Sequence, residues 1–242
     1  STGERVCLAQ RSEFIEGMKE CGIRNDSLLG LNYVGAKIQG EEVGKEIVYN
    51  TMQIPVGGFY QLKLADGTKV WLNSLTQLHF PVTFTGEERK VYLTGEAYFE
   101  VKSDKSRTFV VESKGFSIKV LGTCFNVSNY KEDDVSRIVL LSGSVEVAKA
   151  DKNYRLTPNQ ALEITENKIE IKKVNAVNSI SWKNDKFYFS NERLEVVMRT
   201  LARWYDVDII IETPELKEKV FYGVIRKYEN ISTILDMLKK TQ

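Results

Sequence analysis

From residue 47 to residue 174, apolar and polar positions alternate with period two, and turn signals interrupt the alternation at short intervals. Successive side chains of a β-strand point to opposite faces, so this pattern predicts half-buried strands. In residues 62–72, leucines on one face precede an Asp-Gly turn, after which Val70 and Leu72 resume the alternation. We therefore predict a hairpin there, within an all-β region built as a sandwich, a barrel or a stacked-hairpin solenoid.

The longest alternating run, residues 89–101, is divided by Gly95. After the glycine, Phe99 and Val101 share one face, and Glu96 and Glu100 share the other. We predict that the apolar face is buried in the β core, together with Phe125 and Val127 of a later run.

The period changes near residue 181, where a helical spacing replaces the alternation. Asn191 is the predicted N-cap of a first amphipathic helix and Asn230 that of a second. Strands are predicted at residues 186–189, 207–211 and 220–222. The apolar stripes of the two helices are Leu194, Val197, Met198, Leu201 and Ala202, then Ile231, Ile234, Leu235 and Leu238. The order β-α-β-β-α describes a small α+β unit with its helices on one face of a sheet.

Three segments follow from these patterns. Residues 1–46 are rich in glycine and show no sustained period, so we interpret them as irregular structure, short strands or a degenerate first β unit. Residues 47–178 form the all-β region, and residues 179–242 form the α+β unit. The predicted fold class is mainly β, an all-β region built as a sandwich, barrel or solenoid followed by a small α+β domain.

Charge and hydropathy exclude two classes of function. The chain has 34 basic and 33 acidic residues, a net charge of +1, and the charges are interspersed, which does not favour a nucleic-acid partner. No apolar run approaches the roughly 18–20 residues that span a bilayer. The chain starts at Ser1 rather than Met, as expected of a processed or shortened chain, so a membrane segment upstream remains compatible with the sequence.

The cysteines and the single histidine offer little chemistry. Cys7 and Cys21 are either bridged in an oxidising compartment or buried as free thiols, and Cys124 lies in a strand pattern. A thiol nucleophile formed by Cys124 with His79 is a conceivable hydrolase site. We expect instead that both residues are structural, because His79 lies in an apolar stretch before a turn.

Carboxylates and glycines offer no stronger candidate. Glu96 and Glu100 lie about 13 Å apart along a strand, beyond the window of roughly 5–9.5 Å for glycoside hydrolysis, so we interpret them as exposed strand residues. The acidic residues 132–134 lack the ligand spacing of a calcium loop and are predicted to form a solvated loop. Gly57 and Gly58 lack the lysine of a phosphate loop and indicate a tight turn or a close backbone approach. We predict no catalytic, cofactor or metal residues.

Several motifs together resemble the FecR-like anti-sigma factor family, in its Bacteroidetes type. The order and spacing of the motifs also match, and the resemblance extends from about residue 47 to the end. The motifs are residues 64–73 (LADGTKVWLN), 95–101 (GEAYFEV), 120–127 (VLGTCFNV) and 156–161 (LTPNQA), Trp182 with Phe187 and Phe189, and residues 203–207 (RWYDV).

The resemblance implies a regulator of cell-surface signalling and of transcription. It implies that this chain is the periplasmic sensor portion of a longer protein, tethered to the inner membrane by a helix upstream of the chain. The expected partners are the signalling domain of a TonB-dependent outer-membrane transporter and an extracytoplasmic-function sigma factor, the latter held by a cytoplasmic segment absent from this chain. The resemblance implies a twisted solenoid-like or sandwich-like all-β region. The α+β unit is expected to resemble the short N-terminal domain of secretins and TonB-dependent transporters, and no enzyme activity or cofactor is expected.

The predicted partner surface is the strand that carries Val220, Tyr222, Val224 and Arg226, because it alternates apolar and amphipathic side chains after a turn bounded by proline. We also expect one or two further strands after Leu238, and without them an open sheet edge that accepts a partner's strand. The alternative is a glycan-binding β module of a polysaccharide-uptake system, in which exposed aromatic side chains stack on sugars.

Overall fold

The computed structural model of the chain describes residues 23–26, 30–36 and 47–240. Cys7, Cys21 and most of the glycine-rich segment 1–46 lie outside these residues. Within the described residues, none of the helices has both the length and the apolar character that crossing a membrane requires.

Fifteen strands of the described residues join into one large sheet that folds back on itself in two halves. The first half contains, in spatial order, β1 (Arg24–Asp26), β2 (Gly30–Asn32), β4 (Tyr60–Lys63), β5 (Lys69–Leu72), β7 (Glu88–Glu100), β10 (Cys124–Asn129), β11 (Ser136–Ser142), β14 (Gln160–Ile164) and β15 (Ile169–Lys173). The second half contains β3 (Tyr49–Gln53), β6 (Gln77–Pro81), β7 again, β8 (Thr108–Ser113), β9 (Phe116–Val120), β12 (Val145–Lys149) and β13 (Lys152–Leu156). Neighbouring strands are antiparallel except β2 with β4 and β7 with β8.

Strand β7 joins the two halves because it bends at Gly95. Before the bend β7 pairs with β6 and β8, and after it β7 pairs with β5 and β10. Gly95 has φ of 101°, and a Cβ there would lie 2.6 Å from Oγ1 of Thr76, so only glycine fits. The same Oγ1 accepts the backbone N–H of Glu96 at 2.9 Å, which fixes where the strand leaves the bend.

The apolar core lies between the two halves and confirms the period-two prediction. Phe99, Val101, Phe125 and Val127 are all buried, and the rings of Phe99 and Phe125 stack with centroids 5.1 Å apart. The predicted hairpin forms from β4 and β5 around a turn in which Gly67 has positive φ.

A small α+β unit follows the sheet. A 3-10 helix (Ala176–Asn184) leads into β16 (Lys186–Arg193), α1 (Leu194–Tyr205), the short α2 (Pro214–Lys217), β17 (Val220–Arg226) and α3 (Ile231–Lys240). Strands β16 and β17 pair antiparallel. The apolar stripes of α1 and α3 pack on this pair around nine buried residues. The mainly-β fold class with a small α+β end is thereby confirmed.

The strand predicted at residues 207–211 is not formed. The segment follows α1 and keeps the expected alternation, since Ile209 and Ile211 pack against the core of the α+β unit while Ile210 is 85% exposed. In the part of the chain that the structure describes, however, no strand pairs with it. Alternation reports which side chains are buried, but a strand also needs a backbone partner, which the local pattern cannot show.

The N-cap predicted at Asn191 is also wrong. Asn191 has φ of 57° and lies in a bulge of β16, and Arg193 occupies the cap position of α1. The Asn191 Oδ1 accepts the hydroxyl of Tyr222 at 2.8 Å across the strand pair. Asparagine tolerates positive φ, and here that property serves the bulge rather than the helix end. The second predicted cap, Asn230, does accept the N–H of Ser232 at 2.9 Å.

Candidate functional site

The α+β unit meets the β region across a cleft of about 200 Å³ that is lined from both sides. On the β side, three polar side chains converge. Oε2 of Glu96 accepts Nδ2 of Asn73 at 2.7 Å, and Oε1 accepts Nδ2 of Asn126 at 3.0 Å. Because β7 lies between β5 and β10, its register brings the three residues together from positions far apart in sequence.

Glu96 is therefore not the exposed strand glutamate that its position predicted. It lines the cleft, and burial raises the pKa of its carboxyl. The hydrogen bonds from the two asparagines and the charges of Arg203 and Lys227 oppose that rise. Glu100 lies outside this cluster, beside Lys69 and Lys183. The two glutamates thus have separate surroundings, and Glu96 belongs to the junction between the two parts of the chain.

Each asparagine of this cluster also faces the α+β side. Oδ1 of Asn126 accepts the indole Nε1 of Trp182 at 3.2 Å, and Oδ1 of Asn73 lies 3.4 Å from Nζ of Lys227. The two amides thus bridge Glu96 to the second part of the molecule. Asparagine is uncommon in strands, so Asn126 between two buried apolar neighbours was a detectable signal in the sequence. We predicted no role for it, because its partners come from elsewhere in the chain.

Lys227 is the most unusual residue of the site. It follows β17 directly, is only 1% exposed, and places its ammonium 3.9 Å from the ring centroid of Trp204. Burial lowers the pKa of its side chain to about 8, and the charges of Glu96 and Asp185 oppose this. Nothing in the local sequence distinguishes this lysine from its neighbours.

Acidic residues 132–134 form a loop in which Glu132 and Asp134 are more than half exposed, as predicted, and the loop also binds arginines of α1. Nη1 of Arg203 lies 2.8 Å from Oδ1 of Asp133, and its guanidinium lies over the ring of Tyr130, 4.1 Å from the centroid. Arg199 donates to Oδ2 of Asp134 at 3.1 Å. The loop therefore holds α1 against the β region, a role that its composition alone did not indicate.

Backbone contacts complete the junction. Oγ of Ser74 donates to the carbonyl of Arg203 at 2.6 Å and accepts the N–H of Gly57 at 2.8 Å. A Cβ at Gly57 would lie 2.8 Å from the carbonyl oxygen of Trp204, so the close backbone approach predicted for the Gly57-Gly58 pair is confirmed.

The 3-10 helix that leads into the α+β unit is fixed by a second lysine. Nζ of Lys183 lies 3.9 Å from the ring centroid of Trp71 and 4.6 Å from that of Tyr98, and it pairs with Glu100 at 3.8 Å. The ammonium thus lies over two rings and also meets a carboxylate.

The structure does not bring Cys124 and His79 together. The thiol of Cys124 is free and partly buried, and it packs with Trp71, Tyr98 and Trp182. His79 lies in a different cluster, where it stacks on Tyr49 and shares a hydrogen bond with Thr51 at 2.9 Å. Among the described residues, no group of three or more histidine, cysteine, aspartate or glutamate side chains is arranged to hold a metal ion.

The residues predicted to bind a partner lie on one face of β17. Val220, Tyr222 and Val224 are 50%, 69% and 57% exposed, and Arg226 at the end of the same face is exposed too. Within the described residues β17 pairs only with β16, so its other edge is open. The predicted surface is accessible, and it lies apart from the cleft, to which Lys227 connects it.

Comparison with known proteins identifies two family models and related structures. The model described as FecR protein matches residues 50–146, and the model described as FecR, C-terminal, matches residues 186–242. Two crystal structures, at 1.65 Å and 2.50 Å, of a protein from Parabacteroides distasonis ATCC 8503 assigned as an anti-sigma factor are similar to this chain. Both are 28% identical to it with a TM-score of 0.76, covering 80% and 81% of this chain and 92% of the other. No curated protein matches the sequence significantly.

Proposed function

Because this chain belongs to the FecR-like anti-sigma factor family, we propose that it is a periplasmic sensor that relays the state of a TonB-dependent outer-membrane transporter. The family is regulatory and non-enzymatic, and its name implies a sigma factor as the final partner. In the proposed arrangement, the transporter's signalling domain binds the α+β unit. A membrane segment upstream of the chain then connects it to the sigma factor in the cytoplasm.

The observation that carries this proposal is the exposed face of β17. Three apolar or aromatic side chains in a row are at least half exposed on an edge strand. Surfaces of this kind are uncommon on soluble proteins unless a partner covers them. The inner residue Phe221 is buried and fixes the strand to the core, so the face is held ready rather than disordered. Both the side chains and the open edge are available to a partner domain that is itself built of short strands.

Calorimetric titration tests the proposal. The chain is titrated with the purified signalling domain of the TonB-dependent transporter encoded beside it, and we expect a Kd of about micromolar or tighter. Tyr222→Ser should weaken binding by about tenfold or more, since a central aromatic residue carries much of an interface's affinity. Ile210→Ser is the matched control, because Ile210 is an exposed aliphatic residue of the same unit outside β17. Equal binding by both variants would place the contact elsewhere.

A second candidate function, glycan binding, has one specific observation in its favour. Tyr49, His79 and Tyr92 form a ring cluster on the outer side of β3, β6 and β7, with Tyr49 and His79 stacked at 4.6 Å and Tyr92 42% exposed. Exposed aromatic faces stack on sugar rings. A glycan array with the wild-type chain and Tyr92→Ala separates the two functions. Glycan binding that is lost in Tyr92→Ala would support this function. No binding by the wild-type chain would favour the sensor function instead.

A further inference from the structure

The junction between the two parts of the molecule contains a charge that is incompletely compensated. Lys227 is 1% exposed, and the one hydrogen bond of its side chain in the described residues is the 3.4 Å contact with Asn73. In the same part of the chain no carboxylate lies within 4 Å of its Nζ. Lysines are rarely buried unless they are paired, because the ammonium loses its hydration. The aromatic rings around Lys227 replace only part of that hydration.

Three rings surround the ammonium. Its Nζ lies 3.9 Å from the centroid of Trp204, 5.5 Å from Phe187 and 5.7 Å from Trp182. Trp182 belongs to the 3-10 helix that leads into the α+β unit, and it donates to Asn126 of the β region. Lys227 therefore lies where the 3-10 helix, the β region and the α+β unit meet.

The backbone of Lys227 is tied to the same elements. Its N–H donates to the carbonyl of Asp185 at 2.9 Å, directly after the 3-10 helix. Its carbonyl accepts the indole N–H of Trp204 at 3.0 Å and the hydroxyl of Tyr205 at 2.8 Å, both at the end of α1. Lys227 also follows Arg226, the last residue of β17. Lys227 therefore joins the end of β17 to the 3-10 helix and to α1, the contacts through which a displacement of β17 would reach the junction.

We propose that Lys227 is the release element of the molecule, which couples occupation of the β17 face to the docking of the α+β unit on the β region. This inference rests on the proposed function, because it takes the β17 face as the partner surface. Docking holds the charged side chain in a site that compensates it only in part, so the docked arrangement is weakened from within. A partner that binds β17 and draws its end away from the cleft returns the ammonium to water and favours separation.

Lys183 provides the contrast that makes the inference testable. Its ammonium lies at the same 3.9 Å from a tryptophan ring, but it also pairs with Glu100 at 3.8 Å. Lys183 belongs to the 3-10 helix rather than to the end of β17. Replacing either lysine with methionine keeps the length of the side chain and removes the charge. Only the Lys227 variant is expected to tighten the docking.

Hydrogen-deuterium exchange of the whole chain measures the docking. The amide of Gly57 reports on docking from the β region, because it donates to Ser74 beside the backbone of α1. The amides of residues 199–205 report on docking from the α+β unit. Without a partner, Lys227→Met should slow exchange at these positions by about threefold or more, whereas Lys183→Met should leave it unchanged or faster. With the transporter's signalling domain added, exchange at the junction should rise in the wild-type chain and rise less in Lys227→Met.

The outcomes separate this inference from the proposed function. Faster or unchanged exchange at Gly57 in folded Lys227→Met would overturn the release role, whether or not the partner binds. If Lys227→Met fails to fold, Lys227→Gln removes the same charge and keeps a polar side chain. Exchange at Gly57 in Lys227→Gln is then judged by the same criterion. If the signalling domain does not bind the wild-type chain, the proposed function fails. In that case, slower partner-free exchange in Lys227→Met would still support the weakened junction, and unchanged exchange would refute both.

Discussion

Two buried cations, one inside the β region and one at its junction with the α+β unit, are held in different ways. Arg89 is fully buried and donates to Asp66 Oδ2 and to the carbonyl of Lys102, both at 2.8 Å, and to the carbonyl of Arg107 at 2.9 Å. The side chain of Lys227 is as deeply buried but makes, within the described residues, a single hydrogen bond, of 3.4 Å. The first arrangement compensates the lost hydration of the charge and the second does so only in part. We infer that the β region is built to stay fixed and the junction to change.

The apolar core of the β region is also larger than that of the α+β unit. The β region contains one continuous core that runs between both halves of the sheet, whereas the core of the α+β unit is a cluster of nine buried apolar residues, and the unit exposes Tyr222, Val224 and Ile210. A unit of roughly 60 residues buries a smaller fraction of its surface than a larger domain does, and it is marginally stable alone. Its polar attachment through Arg203 and the asparagines is therefore part of what keeps it ordered.

The largest loss of stability is expected on removing the carboxylate that pairs with the buried Arg89. Asp66→Ala would leave Arg89 buried without its carboxylate and should lower the free energy of unfolding by about 3–5 kcal/mol. Urea unfolding followed by tryptophan fluorescence measures it. Glu146→Ala is the control, since it removes a surface ion pair with Arg155 and should cost less than about 1 kcal/mol. Similar losses in both variants would contradict the contrast between buried and surface charges.

A smaller loss is expected at the paired cation of the junction. Arg203→Ala removes the ion pair with Asp133 and the contact with Tyr130, and it should destabilise the chain by about 1–3 kcal/mol. The matched variant is Arg226→Ala, which deletes an equally long but exposed side chain and should change stability by less than about 0.5 kcal/mol. No loss on changing Arg203 would show that the acidic loop does not hold α1 in solution.

A pH series tests the unpaired cation. Burial lowers the pKa of Lys227 from its ordinary 10.5 to about 8, so between these values the unfolded chain holds a proton that the folded chain has released. Stability should therefore rise with pH in this range, by about 1–2 kcal/mol between roughly pH 7.5 and 9.5. Glu96 and Asp185 face this ammonium, Arg203 lines the same cleft, and all three are unchanged in Lys227→Met.

The comparison of the wild-type chain with Lys227→Met isolates the titration of this one group. The variant should lose the rise while other lysines titrate alike in both proteins. A rise of equal size in Lys227→Met would assign it to a different residue.

The smallest effect on folding is expected on the exposed face of β17. Tyr222→Ser should change the free energy of unfolding by less than about 0.5 kcal/mol, because the side chain is 69% exposed and its one hydrogen bond, to Asn191, is at the surface. Equilibrium urea melts of the variant used for the binding experiment provide this value. A loss above about 2 kcal/mol would mean that the face is structural rather than free for a partner.

Local patterns predicted the elements of this fold well and the site poorly. Alternation placed Phe99 and Phe125 in the core, and helical spacing placed Leu201 and Ile234, because each signal depends on a few neighbouring residues. The strand at residues 207–211 was wrong, since pairing depends on distant segments. Asn191 was misassigned because the same conformational freedom suits a helix cap and a bulge.

The junction could not be predicted because it is assembled from distant parts of the chain. Asn73, Glu96 and Asn126 each lie in a segment that carries the family resemblance, yet their convergence appears only in the register of three strands. Residues 132–134 and Arg203 are oppositely charged but lie about seventy positions apart, and sequence alone does not pair them. The partner surface on β17 was predicted from its alternating pattern. Nothing in the local sequence indicated the three aromatic rings around Lys227.

The most direct test of the account is a nuclear magnetic resonance titration of the isotope-labelled chain with the unlabelled signalling domain of the neighbouring transporter. We predict that the amide resonances of β17 shift, and that those of the Gly57 amide and of the side-chain amides of Asn73 and Asn126 follow the same saturation curve, although they lie in the junction. Shifts confined to the outer side of the β region, or β17 shifts that leave the junction unchanged, would contradict the claim that the partner surface and the junction are coupled.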